Sequence, residues 1–387
     1  MRVLAAWVSR FGLIGLIVLP LAYAWNPGLV LVALFQARSW MAAPAGLDPA
    51  DCTGDWSVPI DAATPYLAPF FPETRASYRV LTLPAKDGDR PLAFRIDGVA
   101  APARYWSLHA YDAASGVVVA ALADIDIGAA EGAKFSVYAR PAGPGGVGPT
   151  LAFPPDIERI ALVWRIYAGQ GSPPRVTALD AATGAPAPCR PVFALPASVR
   201  DPTQAAARDA VFAAMLAEQR ARIAAGEAAP IRFRARRAEN TPLFANRHVV
   251  YAFAPLDPAL GESAEITFRP PPLKPGADGR GVRYWSVCLG GVRETSTSAC
   301  ITDSDVAIDP DGLARFVVGP GNGAPQSGVN RLGWGWFSGP RVLIVRQLDT
   351  ATPFGGGFAS SFAAVPEGVA AAEGLIGDFA PTGRYRP

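Results

Sequence analysis

The chain has 387 residues, of which 50% are hydrophobic and 18% are charged, and its formal net charge is +2. A chain of this length and composition has enough apolar residues for the cores of two or three domains, which excludes wholesale disorder. The nearly balanced charge gives no reason to expect a polyanionic partner, and no nucleic acid partner is predicted.

The first 36 residues are predicted to form a targeting segment. Arg2 and Arg10 carry the only charges before residue 36, and a mostly apolar run follows from residue 11 to residue 35. About 25 residues at ~1.5 Å each are enough to cross a hydrocarbon core of ~30 Å, which predicts an uncleaved membrane anchor. The alternative is a signal peptide cleaved after the Ala-Tyr-Ala of residues 22–24. Either way, the remaining chain is expected on the periplasmic side, anchored to the inner membrane or secreted.

Residues 37–200 form the predicted first β domain. Short apolar runs separated by Gly, Pro and Asp are typical of strands. The predicted strands are residues 78–83, 92–96, 103–111, 117–122, 134–139 and 159–167. No helical pattern alternates with these runs, which favours an antiparallel sandwich over a parallel sheet.

A connecting helix is predicted over residues 201–230. Asp201 is a favourable N-cap, and Pro202 fits the first helical position. Residues 231–387 form the predicted second β domain, and the run 231–237 has three arginines on one face of a strand, as at a charged sheet edge. The predicted apolar face of the helix comprises Val211, Phe212, Met215, Leu216 and Ile223. The predicted strands of the second domain are residues 231–237, 249–253, 265–268, 282–289, 299–308, 314–318 and 342–347.

The two β domains share an internal repeat. Arg-Tyr-Trp-Ser occurs at residues 104–107 and again at residues 283–286, and an Asp-x-Asp pair follows each tetrapeptide at the same offset. An arginine lies on the last predicted strand in both copies, Arg165 and Arg346, so several landmarks recur in one order. The predicted fold is therefore mainly β, with two tandem antiparallel β-sandwich-like domains from an internal duplication, one connecting α-helix and an N-terminal membrane helix.

The repeated strand also bears on catalysis. Side chains alternate along a strand, so Trp106 is predicted to face the core, with an exposed carbohydrate-stacking platform as the alternative. A triad of Ser107, His109 and Asp112 can be written, but two residues that are two apart on an extended strand need not meet, and Cys288 replaces His109 in the second copy. No G-x-S-x-G, Walker or dinucleotide-binding motif supports an enzyme, and no cofactor is predicted.

Four carboxylates are the best candidates for chemistry. If each pair lies along one side of a strand, its carboxylates are about 7 Å apart, which suits a shared cation or the acid and base of a glycosidase-like cleft. We predict instead that they cap turns or pair with the repeated arginines Arg165 and Arg346. The catalytic candidates are Asp124, Asp126, Asp303 and Asp305, and the last two are also the calcium candidate.

Two further features predict the binding of a ligand or a partner. Arg165 and Arg346 are candidates for holding an anionic ligand, because a guanidinium on a rigid strand forms a fork for a carboxylate. Trp334 and Trp336 belong to an aromatic loop that either covers an open end of the core or, if exposed, contacts a partner or a membrane surface.

Four cysteines suit an oxidising compartment. Cys288 and Cys300 fit a bridge between neighbouring strands, which leaves Cys52 and Cys189 as the second bridge. Closing so long a loop stabilises the fold by on the order of 4 kcal/mol in the chain-entropy model. Four free, buried thiols are the alternative.

The second copy resembles a known family at several places. The run Pro-Pro-Leu-Lys-Pro-Gly at residues 271–276, the segment 283–288, Cys300, Gly333-Trp334 and Val345-Arg346 are similar to the tandem bacterial envelope proteins with a domain of unknown function, DUF1214. The first copy shares only the Tyr-Trp-Ser, a Tyr-Asp and Arg165. The resemblance implies an exported, β-rich protein and brings no established catalytic residues.

These observations predict a membrane-tethered or secreted binding or accessory protein that is not an enzyme. The first alternative is an accessory subunit of a membrane protein complex, held by the N-terminal helix. The second alternative is a hydrolase of an envelope glycan or ester that uses the paired aspartates as acid and base.

Overall fold

The computed structural model describes residues 50–53, 56–57, 59–61, 71–143, 148–189, 202–237, 244–273, 281–321, 328–348, 370–371 and 376–387. The fold of these residues is mainly β, and it contains several sheets and two α-helices. The predicted membrane helix lies outside the described residues. Within them, no helix combines the length and apolar character needed to cross a membrane.

The first half of the molecule contains nine strands and the short helix α1 (Asp124–Ile127), which lies between β5 and β6. The strands are β1 (Ala76–Pro84), β2 (Lys86–Asp87), β3 (Arg90–Val99), β4 (Ala103–Asp112), β5 (Val118–Ala123), β6 (Lys134–Pro141), β7 (Thr150–Phe153), β8 (Arg159–Gly169) and β9 (Arg175–Asp180).

The second half follows the long helix α2 (Pro202–Ala224). Its described strands are β10 (Ile231–Arg232), β11 (Arg234–Arg237), β12 (Val249–Leu256), β13 (Ser263–Phe268), β14 (Tyr284–Gly291), β15 (Thr297–Thr302), β16 (Ala314–Gly319), β17 (Val329–Gly333), β18 (Arg341–Leu348), β19 (Ala370–Ala371) and β20 (Thr382–Arg386).

Each half has two sheets, and the strand orders correspond. The inner sheet, defined as the one that contains the Arg-Tyr-Trp-Ser strand, has the order β1-β8-β4-β5 in the first half and contains β12-β18-β14-β15 in the second. The outer sheets contain β3-β6-β7 and β13-β16-β17. The last pair of each outer sheet is parallel, so the prediction of purely antiparallel sheets is wrong there.

The two sheets of each half enclose a separate apolar core. In the first half, Trp106 stacks on Phe135 with 5.0 Å between ring centroids and lies as close to Trp164. In the second, Trp285 meets Phe268 edge to face at 5.6 Å. Burying a large aromatic side chain stabilises such a core by several kcal/mol, about 3 to 5 when it is lost to alanine. The prediction that the repeated tryptophan faces the core is confirmed.

Helix α2 packs on the inner sheet of the second half. Phe212 and Met215 join Phe253, Val342 and Ile344 in one apolar cluster. The predicted apolar face is wrong at its two ends, because Val211 and Ile223 are exposed. The buried face instead follows helical spacing through Phe212, Met215, Leu216 and Gln219.

Both predicted disulfides are present. Cys52 bonds to Cys189 across a sequence separation of 137, and Cys288 bonds to Cys300 across a separation of 12. The short bridge joins the paired positions of β14 and β15. The long bridge joins the two ends of the first half. Because it closes the longer loop, it restricts the unfolded chain more than the short bridge does.

Candidate functional site

The inner sheets of the two halves meet face to face. Tyr105, Tyr167 and Tyr284 are buried there, with edge-to-face ring contacts of 5.5 and 5.4 Å to the central Tyr167. The guanidinium carbon of Arg104 lies 5.8 Å from the ring centroid of Tyr284, and that of Arg283 lies 5.7 Å from the ring of Tyr105. The face of the repeated strand that points away from its own core is therefore buried against the opposite half.

Two ion pairs cross this junction reciprocally. Arg104 of the first half pairs with Asp303 of the second at 2.5 Å, and Arg283 of the second half pairs with Asp124 of the first at 2.6 Å. The Asp303 side chain is 0% exposed. Charge-assisted hydrogen bonds in such partly buried places are among the stronger polar contacts in proteins. The repeated tetrapeptide and the repeated aspartates thus hold the halves together.

The strand placement predicted for the aspartates is wrong. Asp124 and Asp126 begin helix α1, where the Asp126 carboxylate accepts a hydrogen bond from the Ala123 backbone N–H at 2.8 Å. Carboxylates near a helix N-terminus satisfy free N–H groups, and this preference outweighs the strand pattern. Asp303 and Asp305 lie in the turn after β15, and Asp305 pairs with Arg75 at 2.9 Å.

The arginine partners predicted for the aspartates are also wrong, since Arg104, Arg283 and Arg75 take the place of Arg165 and Arg346. The pairing joins the halves instead of joining neighbouring strands within one half. Both carboxylate oxygens of Asp303, and Oδ2 of Asp305, accept hydrogen bonds from protein donors, so these oxygens are already engaged where calcium would need them.

The hypothetical triad does not assemble. The Ser107 hydroxyl has no hydrogen-bond partner among the described residues, and Asp112 accepts from Ser115 in a turn. Nε2 of His109 accepts from the Arg247 backbone N–H at 3.3 Å. Burial lowers the pKa of His109 well below its usual value, and the positive charge of Arg165 lowers it further. His109 therefore stays neutral as a structural acceptor at the junction.

A cavity of about 120 Å³ lies beside these contacts, between the two inner sheets. Most of its wall is apolar, and aromatic rings come from both halves and from helix α2. The lining residues are Ile60, Phe71, Pro72, Tyr78, Val80, Val163, Arg165, Tyr167, Phe212, Arg236, Phe244, Ala245, Asn246, Tyr251, Phe253, Val342, Ile344 and Arg346.

Arg165 and Arg346 occupy equivalent places in this wall. Arg165 on β8 stands opposite Tyr78 on β1, and Arg346 on β18 stands opposite Tyr251 on β12. Their side chains are almost completely buried, with residue exposures of 2% and 4%. The prediction that the two arginines form a binding position remains a hypothesis, but the fold brings both of them into one cavity.

Each arginine is held by a backbone carbonyl from the opposite half. Nη2 of Arg165 donates to the carbonyl oxygen of Phe244 at 2.5 Å, and Nη2 of Arg346 donates to that of Phe71. Phe71 and Phe244 have φ of 51° and 53°, a region that bulky residues rarely enter. Our sequence interpretation missed both phenylalanines, although each stands seven residues before an equivalent tyrosine, Tyr78 or Tyr251.

The surroundings of the two arginines differ in charge. Glu73, near Arg346, is 0% exposed and accepts hydrogen bonds from the Tyr284 hydroxyl and from the Arg75 N–H. Burial raises the pKa of Glu73 above its usual value, and the hydrogen bond from Tyr284 opposes that rise. At the equivalent place in the second half the neutral Asn246 faces Tyr105 at 3.4 Å.

The predicted tryptophans belong to a different place. Trp334 donates from Nε1 to the Glu262 carbonyl at 3.0 Å, while Trp336 is 64% exposed. Neither tryptophan lines the cavity. The four residues predicted to bind a ligand therefore divide between the cavity and a surface loop of the second half.

Comparison with known proteins informs the fold alone. No family model and no curated protein matches the chain. A putative uncharacterized protein from Burkholderia cenocepacia is similar in structure, with a TM-score of 0.51 and 12% identity over 90% of this chain and 86% of that one. The VPA0106 protein from Vibrio parahaemolyticus also has 12% identity, over 75% of this chain and 89% of that one, with a TM-score of 0.40.

Proposed function

We propose that this protein is an extracytoplasmic binding protein without catalytic activity, and that it holds a small ligand in the cavity between its two halves. The observation that carries the proposal is the cavity of about 120 Å³, which is walled largely by apolar and aromatic side chains with a few polar groups. Small-molecule sites generally combine an apolar wall with a few placed polar groups.

The aspartates favour binding over hydrolysis. Asp124 and Asp303 are paired with arginines of the opposite half, and they fix the junction between the halves. A glycosidase-type mechanism needs two carboxylates that face a common open cleft. Because these carboxylates are committed to ion pairs on separate elements, the hydrolase alternative has weaker support than the binding role.

The two disulfides support an oxidising compartment outside the cytoplasm for this chain. Attachment to the membrane through residues 1–36 and membership of the DUF1214-like proteins stay predictions. We interpret the matching strand orders as the product of an internal duplication, which supports two related sandwiches with a shared site between them.

A role as an accessory subunit of a membrane complex is the second candidate. It is favoured by Trp336, whose ring is 64% exposed on a loop of the second half. An exposed aromatic side chain of this kind suits a partner surface. Purification of the protein from detergent-solubilised membranes tests this role through the recovery of a stoichiometric membrane-protein partner.

The binding proposal is tested by filling the cavity. Val163 is buried in the cavity wall, so Val163→Phe places a ring in the space that a ligand needs. The probes are toluene, benzyl alcohol, benzylamine and benzoate, and binding is measured by calorimetry and by thermal shift. We expect at least one probe to bind the native chain and to lose about tenfold or more in affinity in the variant, which corresponds to about 1.4 kcal/mol.

The matched control is Val99→Phe, which makes the same substitution at a position that is 53% exposed and outside the cavity. It should bind the probes as the native chain does. The proposal is wrong if none of the probes binds the native protein, or if both phenylalanine variants bind them equally.

A further inference from the structure

Each of the two buried arginines in the cavity wall has one guanidinium nitrogen that forms no hydrogen bond with the described residues. Each donates from Nη2 to a carbonyl oxygen, whereas Nη1 of Arg165 and Nη1 of Arg346 have no hydrogen-bond partner among the described residues. A buried cationic donor without an acceptor is unfavourable, because the group has lost its hydration without gaining a hydrogen bond. Because both arginines line the cavity, these two donors are available to an acceptor group of a bound ligand.

The cavity also carries an excess of positive charge. Arg165, Arg346 and Arg236 line it, and none of the lining residues that the structure describes is acidic. The buried Glu73 interacts electrostatically with Arg346, but its oxygens already accept from the Tyr284 hydroxyl and from the Arg75 N–H. The neutral Asn246 lines the cavity together with Arg165, and no described lining residue supplies a negative charge there.

The backbone around the site is strained in the same way twice. Phe71 and Phe244 hold positive φ angles, and their carbonyls fix the two guanidinium groups from opposite halves. Such conformations are unfavourable for bulky residues and concentrate at functional sites, where they pre-organise the groups that bind. The carbonyls of these strained residues therefore fix the orientation of both guanidinium groups, and a guanidinium that is already fixed loses little conformational freedom on binding.

We propose that the cavity binds a small organic carboxylate, whose anionic group is held by Nη1 of Arg165 and Nη1 of Arg346 and whose apolar body lies among the aromatic side chains. This inference rests on the proposed binding function and specifies the class of ligand. A guanidinium matches a carboxylate in geometry and charge. An apolar cavity of about 150 Å³ accepts a benzene ring, and the cavity here is smaller, at about 120 Å³, so the apolar body of the ligand is a short acyl chain or at most a single ring.

The test compares charged and neutral probes on the full chain in chloride-free buffer. Benzoate and benzamide have nearly the same shape, so a difference between them reports the charge. We expect benzoate to bind the native protein about tenfold or more tightly than benzamide, in line with charge-assisted hydrogen bonds. In Arg165→Gln and in Arg346→Gln that preference should fall to about twofold or less.

The matched control is Arg104→Gln, which removes a junction arginine that does not line the cavity. It should keep the preference for benzoate even though the fold is weakened. The contrast between benzoate and benzamide on the native protein remains decisive if a cavity variant fails to fold.

The outcomes distinguish failure of the carboxylate inference from failure of the proposed binding function. Equal affinity for benzamide and benzoate overturns the carboxylate inference and leaves cavity binding intact. Phenyl phosphate serves as a competing anionic probe in the same measurement, and tighter binding of phenyl phosphate than of benzoate overturns the carboxylate inference in favour of a phosphate ligand. Failure of every probe to bind overturns the binding function together with the inference.

Discussion

His109 and His248 are the two histidines of the chain, and their rings lie 5.2 Å apart at the junction between the halves. Burial lowers the pKa of His248 from its usual 6.5 to about 4, although Asp126 opposes the shift. The unfolded chain therefore binds a proton that the folded protein does not bind until about pH 4. The stability contributed by neutral His248 is complete above pH 6.5 and declines as the pH falls. We expect a loss of about 2 kcal/mol between pH 7 and pH 5 from this residue.

The variant His248→Asn tests that expectation. Asparagine cannot titrate, and its carbonyl oxygen can replace the ring nitrogen that lies 2.8 Å from the Tyr105 hydroxyl. Urea denaturation at pH 7, 6 and 5 should therefore show a shallower decline in the free energy of unfolding than in the native chain. An unchanged decline would mean that His248 gains its proton as readily in the folded state as in the unfolded one.

The two disulfides constrain elements over very different lengths of chain. In the chain-entropy model, a loop of about 137 residues contributes about 5 kcal/mol and one of about 12 residues contributes about 3 kcal/mol. We therefore expect the double substitution of Cys52 and Cys189 by alanine to lower the free energy of unfolding more than that of Cys288 and Cys300. Urea midpoints in an oxidising buffer measure the difference, with the slope of the transition as a check on two-state behaviour.

The opposite order would show that local packing dominates. Cys288 and Cys300 lie at the junction, where Sγ of Cys300 accepts from the Thr74 backbone N–H at 3.4 Å. His109 stands at the position of Cys288 in the first half and accepts from the equivalent N–H of Arg247. A large loss on removing the short bridge would therefore reflect this lost contact between the halves.

Local patterns were enough to predict the elements with strong periodicity. The core-facing tryptophans, helix α2 and the pairing of the four cysteines follow from alternation, capping residues and strand adjacency. The aspartates were misplaced because an Asp-x-Asp pattern fits the first turn of a helix as well as one side of a strand. Helix α1 is too short for its apolar periodicity to distinguish the two.

The candidate site could be predicted only in part. Arg165 and Arg346 were identified because they recur, yet their shared cavity depends on packing between the halves. The carbonyls that hold them come from residues 79 and 275 positions away in the chain. Contacts at such separations leave no periodic trace in one sequence.

The whole molecule is organised around the contact between its inner sheets. The buried tyrosines, the reciprocal ion pairs and the arginine-to-carbonyl bonds all cross from one half to the other. Separating the halves would expose apolar rings and leave Asp303 and the buried arginines without partners. Breaking a buried pair by removing one member typically costs about 3 to 5 kcal/mol. The same junction forms the cavity wall, so stability and binding share one structural element.

We therefore expect the halves to unfold together. Differential scanning calorimetry of the chain from residue 37 onward should give one transition, because the inner sheet of each half is buried only against the other half.

A double-mutant cycle tests the same junction at one ion pair. In this cycle, Asp124→Asn and Arg283→Gln should show a coupling energy of about 1 to 3 kcal/mol, since the two groups touch. The pair Asp87→Asn and Arg90→Gln, an exposed ion pair within the first half, is the control and should couple by less than about 1 kcal/mol. Two separate transitions, or a junction coupling as small as that of the control, would show that the halves are independent domains, and the cavity between them would then lack a fixed wall.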